Sequence, residues 1–322
     1  MEMFTHLHSH THFSFGLGAS SPELLAQAAA ERGFSALPCT DTNGVYGAVE
    51  FQRACDAVGV RPILGAHLLA GGQEVVALAT NEQGWAALCR AITAIHWEQS
   101  AAPLSALLAR DRDGLILLSR DLGFLEQTLR LSGPTNLYAE LRPGRRRHET
   151  LAGARRLGLP SVVTNGVVAA HPEEWTRHRL LRAIALNTTL SALPSDEVWP
   201  RGAWLCTGAD LSRHFPDCPD AIRASMEIAE RCQYRIPVGE RTVPPRAAEN
   251  GSAFTQLREL SLQGARWRYP EITPELQSRL DLELGIIHQK GFADYFLVVR
   301  DIVRHAPTHC GRGSVANSVV SY

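Results

Sequence analysis

Through roughly the first 190 residues, short apolar runs alternate with longer stretches in which apolar residues recur at helical spacing. This is the βαβα rhythm of a parallel sheet or barrel. It predicts strands at Phe4 to His8, Ala36 to Thr40, Pro62 to Gly65, Val75 to Thr80, Leu115 to Ser119, Leu137 to Leu141 and Ser161 to Thr164. Helix starts are legible between them. Ser21-Pro22-Glu23 offers a capping serine, a proline at the first helical position and an acid in the first turn, after which Leu24, Leu25 and Ala28 repeat at helical spacing. Asn81 caps another, with Trp85, Leu88, Cys89, Ile92 and Ile95 on one apolar face. From about Ser191 the strand rhythm fades. The stretch Val238 to Gly251, with Pro244, Pro245 and Gly251, reads as a linker. Beyond it the pattern predicts helices at Ser252 to Trp267, Thr273 to Lys290 and Asp294 to His305, with Phe254, Leu257 and Leu260 to Leu262 as a buried face.

Composition narrows the picture. A chain of 322 residues accommodates one large α/β barrel and part of a second domain. A formal net charge of −1 argues against a protein whose whole surface grips nucleic acid, so any contact with DNA is expected to be local or to come from a part outside this sequence. The seven cysteines are scattered and never form a Cys-x-x-Cys pair, which indicates neither a disulfide framework nor a zinc ribbon and points to a reduced cytoplasm. No basic start precedes an apolar core, and no run approaches about eighteen apolar residues, so neither secretion nor membrane spanning is expected. The basic cluster Arg142, Arg145, Arg146 and Arg147 lacks interleaved aromatics and reads as a solvated loop.

Two stretches carry candidate chemistry. Histidines at positions 6, 8, 10 and 12 alternate along a predicted strand, which would put all four on one face. Neutral imidazole is the commonest protein metal ligand, and an alternating pair can grip one ion; the other reading is a polar strand end with unliganded histidines. In an α/β barrel, functional residues sit at the C-terminal ends of strands, where His8, His10, Asp41 and Asn165 fall. Near the other end of the chain, Gly311-Arg312-Gly313-Ser314 combines glycines that can turn N–H groups toward an anion, a hydroxyl donor and a planar cationic fork. That chemistry suits a triphosphate, although the same four residues also make a plain surface turn.

With its flanks, Gly291-Phe292-Ala293-Asp294-Tyr295-Phe296-Leu297-Val298-Val299 followed by Gly311-Arg312-Gly313-Ser314-Val315-Ala316-Asn317-Ser318 resembles the start of the palm in bacterial C-family DNA polymerases, the polymerase III alpha subunits. Ala316-Asn317-Ser318 and Phe13-Ser14-Phe15 lean toward the error-prone paralogues over the replicative ones. Leu7-His8-Ser9-His10-Thr11-His12-Phe13-Ser14-Phe15 resembles the first motif of the PHP (polymerase and histidinol phosphatase) domain that opens those polymerases, and Thr40-Asp41 and Ile63-Leu64-Gly65-Ala66 sit where the next two motifs belong. Tyr138-Ala139-Glu140-Leu141, Gly158 to Asn165 and Ile228 to Cys232 follow in the family's order.

The resemblance implies a PHP-type distorted (β/α)7 barrel followed by a helical segment leading into an incomplete polymerase palm. The PHP domain would span residues 1–237, with its barrel core at about 1–190, then a linker at 238–251 and the start of the palm at 252–322. It implies nucleotidyl transfer from a dNTP to a primer 3′-hydroxyl, in replication or error-prone repair, with Mg2+ as cofactor. Primer-template DNA, dNTP, the sliding clamp and other polymerase subunits would be the partners, through downstream domains. Arg312, Gly313 and Ser314 would meet the nucleotide's phosphates. The palm aspartates lie downstream in the family, and no Asp-x-Asp pair is read after Ser314 or elsewhere in the chain, so the polypeptide as given is not expected to extend a primer. The reading includes a truncated relative.

The PHP ligand set is altered. Where the family's metal-binding members carry ligands, this chain has Leu17, Thr42, His67, Gly166 and Val168, and among these only His67 keeps a metal-competent side chain. The expectation is a degenerate, structural domain whose site has lost its carboxylates and holds at most one Zn2+ or Mn2+ through His8, His10 and His67. The alternatives are a stand-alone PHP phosphoesterase and a non-enzymatic module that binds polymerase partners.

Overall fold

The computed structural model describes residues 4–97, 102–144, 146–238, 252–306 and 308–322. Contacts divide the chain into two units, Met1–Val238 and Gly239–Tyr322. The stretch read as a linker lies, apart from Val238, outside the described residues.

The first unit is built on a six-stranded mixed sheet in sequential order, β1 (Ala36–Cys39), β2 (Arg61–Ala70), β3 (Gln73–Ala79), β4 (Leu115–Ser119), β5 (Leu137–Leu141) and β6 (Ser161–Val163). Every residue of β4 is buried, the continuous apolar pattern of a strand covered on both faces. The expected all-parallel rhythm breaks at β3, which runs antiparallel to both β2 and β4. Local chemistry explains the break. Gly71 and Gly72 have φ of +58° and +74°, and a two-residue turn with positive φ at both positions closes a β2–β3 hairpin where a parallel crossover would need a helix.

The predicted first strand is not a regular strand. The Thr40 amide donates to the Ser9 carbonyl (2.9 Å) and the Val167 amide to the His8 carbonyl (2.9 Å), while the His10 amide donates to the Val167 carbonyl (2.8 Å). Residues 8–10 therefore bridge the chain after β1 to the chain after β6 and join the two edges of the half-barrel sheet.

Helices surround the sheet: α1 (Pro22–Glu31), α2 (Ala48–Ala57), α3 (Glu82–His96), α4 (Leu104–Arg110), α5 (Leu122–Ser132), α6 (Arg147–Leu157), α7 (Trp175–Ala185), α8 (Gly208–Ser212) and α9 (Pro219–Arg231). Ser21 and Asn81 cap α1 and α3 by accepting from the amides of Leu24 and Gly84. Inward residues of the strands, among them Ile63, Val76, Ile116, Leu118 and Val162, form one core cluster with Ile228 and Ala229 of α9. Arg61, which begins β2, donates to the carbonyls of Ala229 and Cys232, so α9 covers the end of the sheet where β2 starts. The opposite end is left for the histidines.

The second unit contains α10 (Ala253–Arg268), α11 (Pro274–Gln289) and α12 (Ala293–Arg304), with Ser252 and Thr273 as side-chain caps. Leu257, Leu284, Ile287, Ala293 and Leu297 form its core, and Phe254 and Leu260 pack against it. Glu283 on α11 accepts from the Ser318 hydroxyl (2.8 Å) and the Val320 amide (3.1 Å), holding the segment after Gly313 onto the helices. Among the described residues, no helix is long and apolar enough to cross a membrane.

Candidate metal centre

The expectation that four alternating histidines share a face holds for two of them. Period-two alternation requires a regular pleat, and residues 4–10 lack one. His6 turns to the Cys206 carbonyl (2.9 Å) and packs edge-on against Phe4 and Phe34, and His12 is exposed beside Phe13. His8 and His10 converge with His67 from β2. Their ligand atoms lie within 4.8 Å of one another and all three side chains are buried.

The hydrogen-bond network fixes the tautomers of two of these rings. Glu140 on β5 is buried, and its carboxyl is held well below the usual range: burial opposes this, but Arg142 and His8 outweigh it. As a carboxylate it can only accept, so the His8 Nδ1–H donates to Glu140 Oε1 at 2.7 Å, beside the Thr164 hydroxyl at 2.6 Å. The single Ser14 hydroxyl proton goes to Asp41 Oδ1 (2.6 Å), so Ser14 Oγ accepts from His10 Nδ1–H at 2.9 Å. Burial lowers the His8 pKa to about 3 and that of His10 well below the ordinary value. Both rings are neutral at pH 7, and each has already committed its one proton.

Two bare Nε2 lone pairs therefore face each other at 3.0 Å. That contact is repulsive unless a cation lies between them. Two nitrogens on a tetrahedral zinc ion, each at about 2.0–2.1 Å, stand about 3.3 Å apart, close to what is seen. His67 supplies the third donor: its two buried ring nitrogens make no hydrogen bond, and Nε2 lies 3.5 Å from Glu74 Oε2. Burial also lowers the pKa of His67, leaving it neutral for coordination.

The expected loss of carboxylates needs correction. Glu140 anchors His8 and also accepts from Arg142 at 2.9 Å, Asp41 anchors His10 through Ser14, and Glu74 stands beside His67 while paired with Arg120 at 2.5 Å. They act on the rings that would hold an ion, the role outer carboxylates play in zinc sites. Glu74 escaped sequence reading because β3 runs against the expected direction and brings its first residues to this end of the sheet. Glu140 was legible only as part of an ordered motif.

Thr42 reaches the cluster's edge, 3.5 Å from His10 Nδ1, and its amide donates to Ser14. Leu17 offers only its carbonyl, to the His178 ring, and Val168 is wholly buried. Asn165 donates to the carbonyls of Gly202 and Trp204. Trp199, which sequence reasoning missed, lies edge-on to His8 and His10 at centroid distances of 5.5 and 5.1 Å, with the Arg142 guanidinium 4.8 Å over its ring. A cavity of about 700 Å3 has Glu74, Arg120, Arg146 and Glu149 in its lining, but none of the three histidines.

In the second unit Arg312, Gly313 and Ser314 are all exposed, and Gly313 has a φ of +80° before a short 3-10 turn, Ser314–Asn317. An Asp-x-Asp triplet does occur upstream, Asp111-Arg112-Asp113, which the sequence reading passed over. It lies in the turn between α4 and β4, where Asp111 pairs with Arg90 at 2.6 Å.

Comparison with known proteins gives matches to two family models in order, the PHP domain over residues 6–153 and the bacterial DNA polymerase III alpha NTPase domain over residues 255–322. The chain is 36% identical to an error-prone DNA polymerase of Symbiobacterium thermophilum, over 99% of this chain and 34% of that protein. It is 33% identical to an error-prone DNA polymerase of Mycobacterium tuberculosis, over 99% of this chain and 33% of that one. A DNA polymerase III subunit alpha of Buchnera aphidicola is 30% identical over 100% of this chain and 32% of its own length. The chain thus spans about a third of these relatives. In sequence and domain order the chain is similar to the PHP-containing N-terminal region of bacterial DNA polymerase III alpha subunits and error-prone DNA polymerases.

Proposed function

We propose that this chain serves as the N-terminal portion of a DNA-directed DNA polymerase, with residues 252–322 forming the start of its palm. The observation that carries the reading is the ordered match of both family models together with relatives aligned along 99% of the chain. In this reading Arg312, Gly313 and Ser314 receive the phosphates of an incoming nucleotide, with Mg2+ bound by carboxylates outside this chain. Primer-template DNA, the sliding clamp and other polymerase subunits are the partners.

The PHP domain acts here as a structural element that holds one Zn2+ or Mn2+ through His8, His10 and His67. When bound, the ion supplies positive charge between the facing lone pairs; Glu140 and Ser14 keep both rings in the tautomer that presents Nε2. The stand-alone phosphoesterase is the second reading, and the nearby carboxylates Glu74 and Glu140 favour it. Two assays separate them. Native protein captured with an antibody against residues 4–97 is expected to extend a primed template with dNTPs and Mg2+, and its failure to do so would count against the polymerase reading. The purified chain with Mn2+ is expected to leave bis(p-nitrophenyl) phosphate intact; hydrolysis abolished by His8→Ala would establish the phosphoesterase instead.

A further inference from the structure

We propose that Trp199 is a fixed plug that seals the histidine cluster against phosphate esters. The indole stands at right angles to both facing rings, at 82° to His8 and 81° to His10, and Arg142 stacks on it while holding Glu140. The ring fits because residue 166 is glycine. A Cβ there would lie 2.4 Å from the indole Cζ3, and Gly166 has a φ of +67°, so a side chain at this position would collide with the plug and strain the backbone.

The plug is anchored on both sides. The Trp199 amide donates to Nε2 of the buried His178 (3.1 Å), whose Nδ1–H is engaged by the Leu17 carbonyl (2.7 Å), and the Trp199 carbonyl accepts from the Trp175 indole (3.0 Å). The following residues are tied to the chain after β6: the Val168 amide donates to Ala203, the Leu205 amide to Ala169, and Asn165 to Gly202 and Trp204. With its backbone tied on both sides and its ring packed between His8, His10 and the Arg142 guanidinium, the indole occupies the space beside the two histidines. Metal-assisted hydrolysis needs a coordination position open to substrate, and here the approach beside His8 and His10 is taken by an indole. On the Glu74 side, the neighbouring cavity is lined by the paired Glu74 and Arg120 and by none of the three histidines.

This deepens the non-hydrolytic reading of the domain and rests on the cluster being the ion site. The test uses the metal-free chain, so a failure of ion binding leaves its outcome readable. Diethyl pyrocarbonate acylates accessible neutral imidazoles, and peptide mass spectrometry locates the products. The exposed His12, His148 and His214 are expected to react at least about tenfold faster than His8, His10 and His67. Trp199→Ala is expected to raise the rates at His8 and His10 at least about tenfold, with the circular dichroism spectrum and melting transition retained. Trp199→Phe, a smaller truncation that guards against loss of folding, should give a lesser rise. Cluster histidines that react in the unaltered chain as fast as His148 would overturn the proposal, as would a folded Trp199→Ala or Trp199→Phe variant with no acceleration.

Discussion

The chain carries two candidate sites built in opposite ways. The histidine cluster is assembled from β2, β5 and the extended segment at 8–10, lies wholly buried, and has its rings oriented by Glu140 and Ser14. The Gly311–Ser314 loop is contiguous in sequence and entirely exposed, and its neighbours are fixed only afterwards, where Glu283 captures Ser318 and Val320. A site that folding completes internally can hold a small ion by itself. A site whose groups face solvent depends on what is brought to it, which is what the proposed reading of this loop as a phosphate-contacting element of a polymerase requires.

The largest effect should come from removing a ring. His8→Ala or His10→Ala is expected to abolish stoichiometric ion binding, whereas Glu140→Gln, which leaves the ring but not its carboxylate, should weaken it by about 10–100-fold. Equilibrium dialysis measures both, and equal affinities would erase the distinction between the two layers.

Core truncations sharpen the contrast between units. Phe124 is fully buried in the first unit, and Phe124→Ala should cost about 3–5 kcal/mol there. In the second unit, Ser252→Ala removes only a cap and should cost about 1 kcal/mol. Denaturant titrations would show the first change moving only the transition of the first unit.

Acid provides a third contrast. Burial lowers His6 to about 4 and His8 to about 3, against about 6.5 in an unfolded chain. As pH falls, the unfolded state takes up these protons first. The metal-free first unit should therefore keep its stability above about pH 6.5 and lose it progressively between there and about pH 3. The melting temperature followed against pH checks this; a flat profile from pH 7 to 4 would contradict it. The smallest effect is expected at the exposed loop, where Arg312→Ala should weaken dNTP binding to this chain by less than about fivefold in an isothermal titration, because a solvated charge is well screened.

Much of this was legible in the sequence, and the misses have physical causes. Strands β1 to β6 announced themselves as apolar runs, and Ser21, Asn81, Ser252 and Thr273 announced helix starts because capping is local chemistry. His8, His10 and His67 could be named from motif order alone. The four-histidine face failed because residues 4–10 are extended without a pleat, leaving His6 and His12 with other neighbours. Glu74 and Trp199 could not be placed because each reaches the cluster by a route that sequence spacing does not encode, one through an antiparallel hairpin at Gly71-Gly72 and the other through a loop tied to His178.

In the reading proposed above, the PHP domain holds a single ion through three converging imidazoles. The most direct test of that reading is the metal content per chain, by inductively coupled plasma mass spectrometry, after saturation with Zn2+ and removal of free metal. One ion per chain, falling to none in His8→Ala, is predicted; two or three ions per chain, or none in the unaltered protein, would contradict the account.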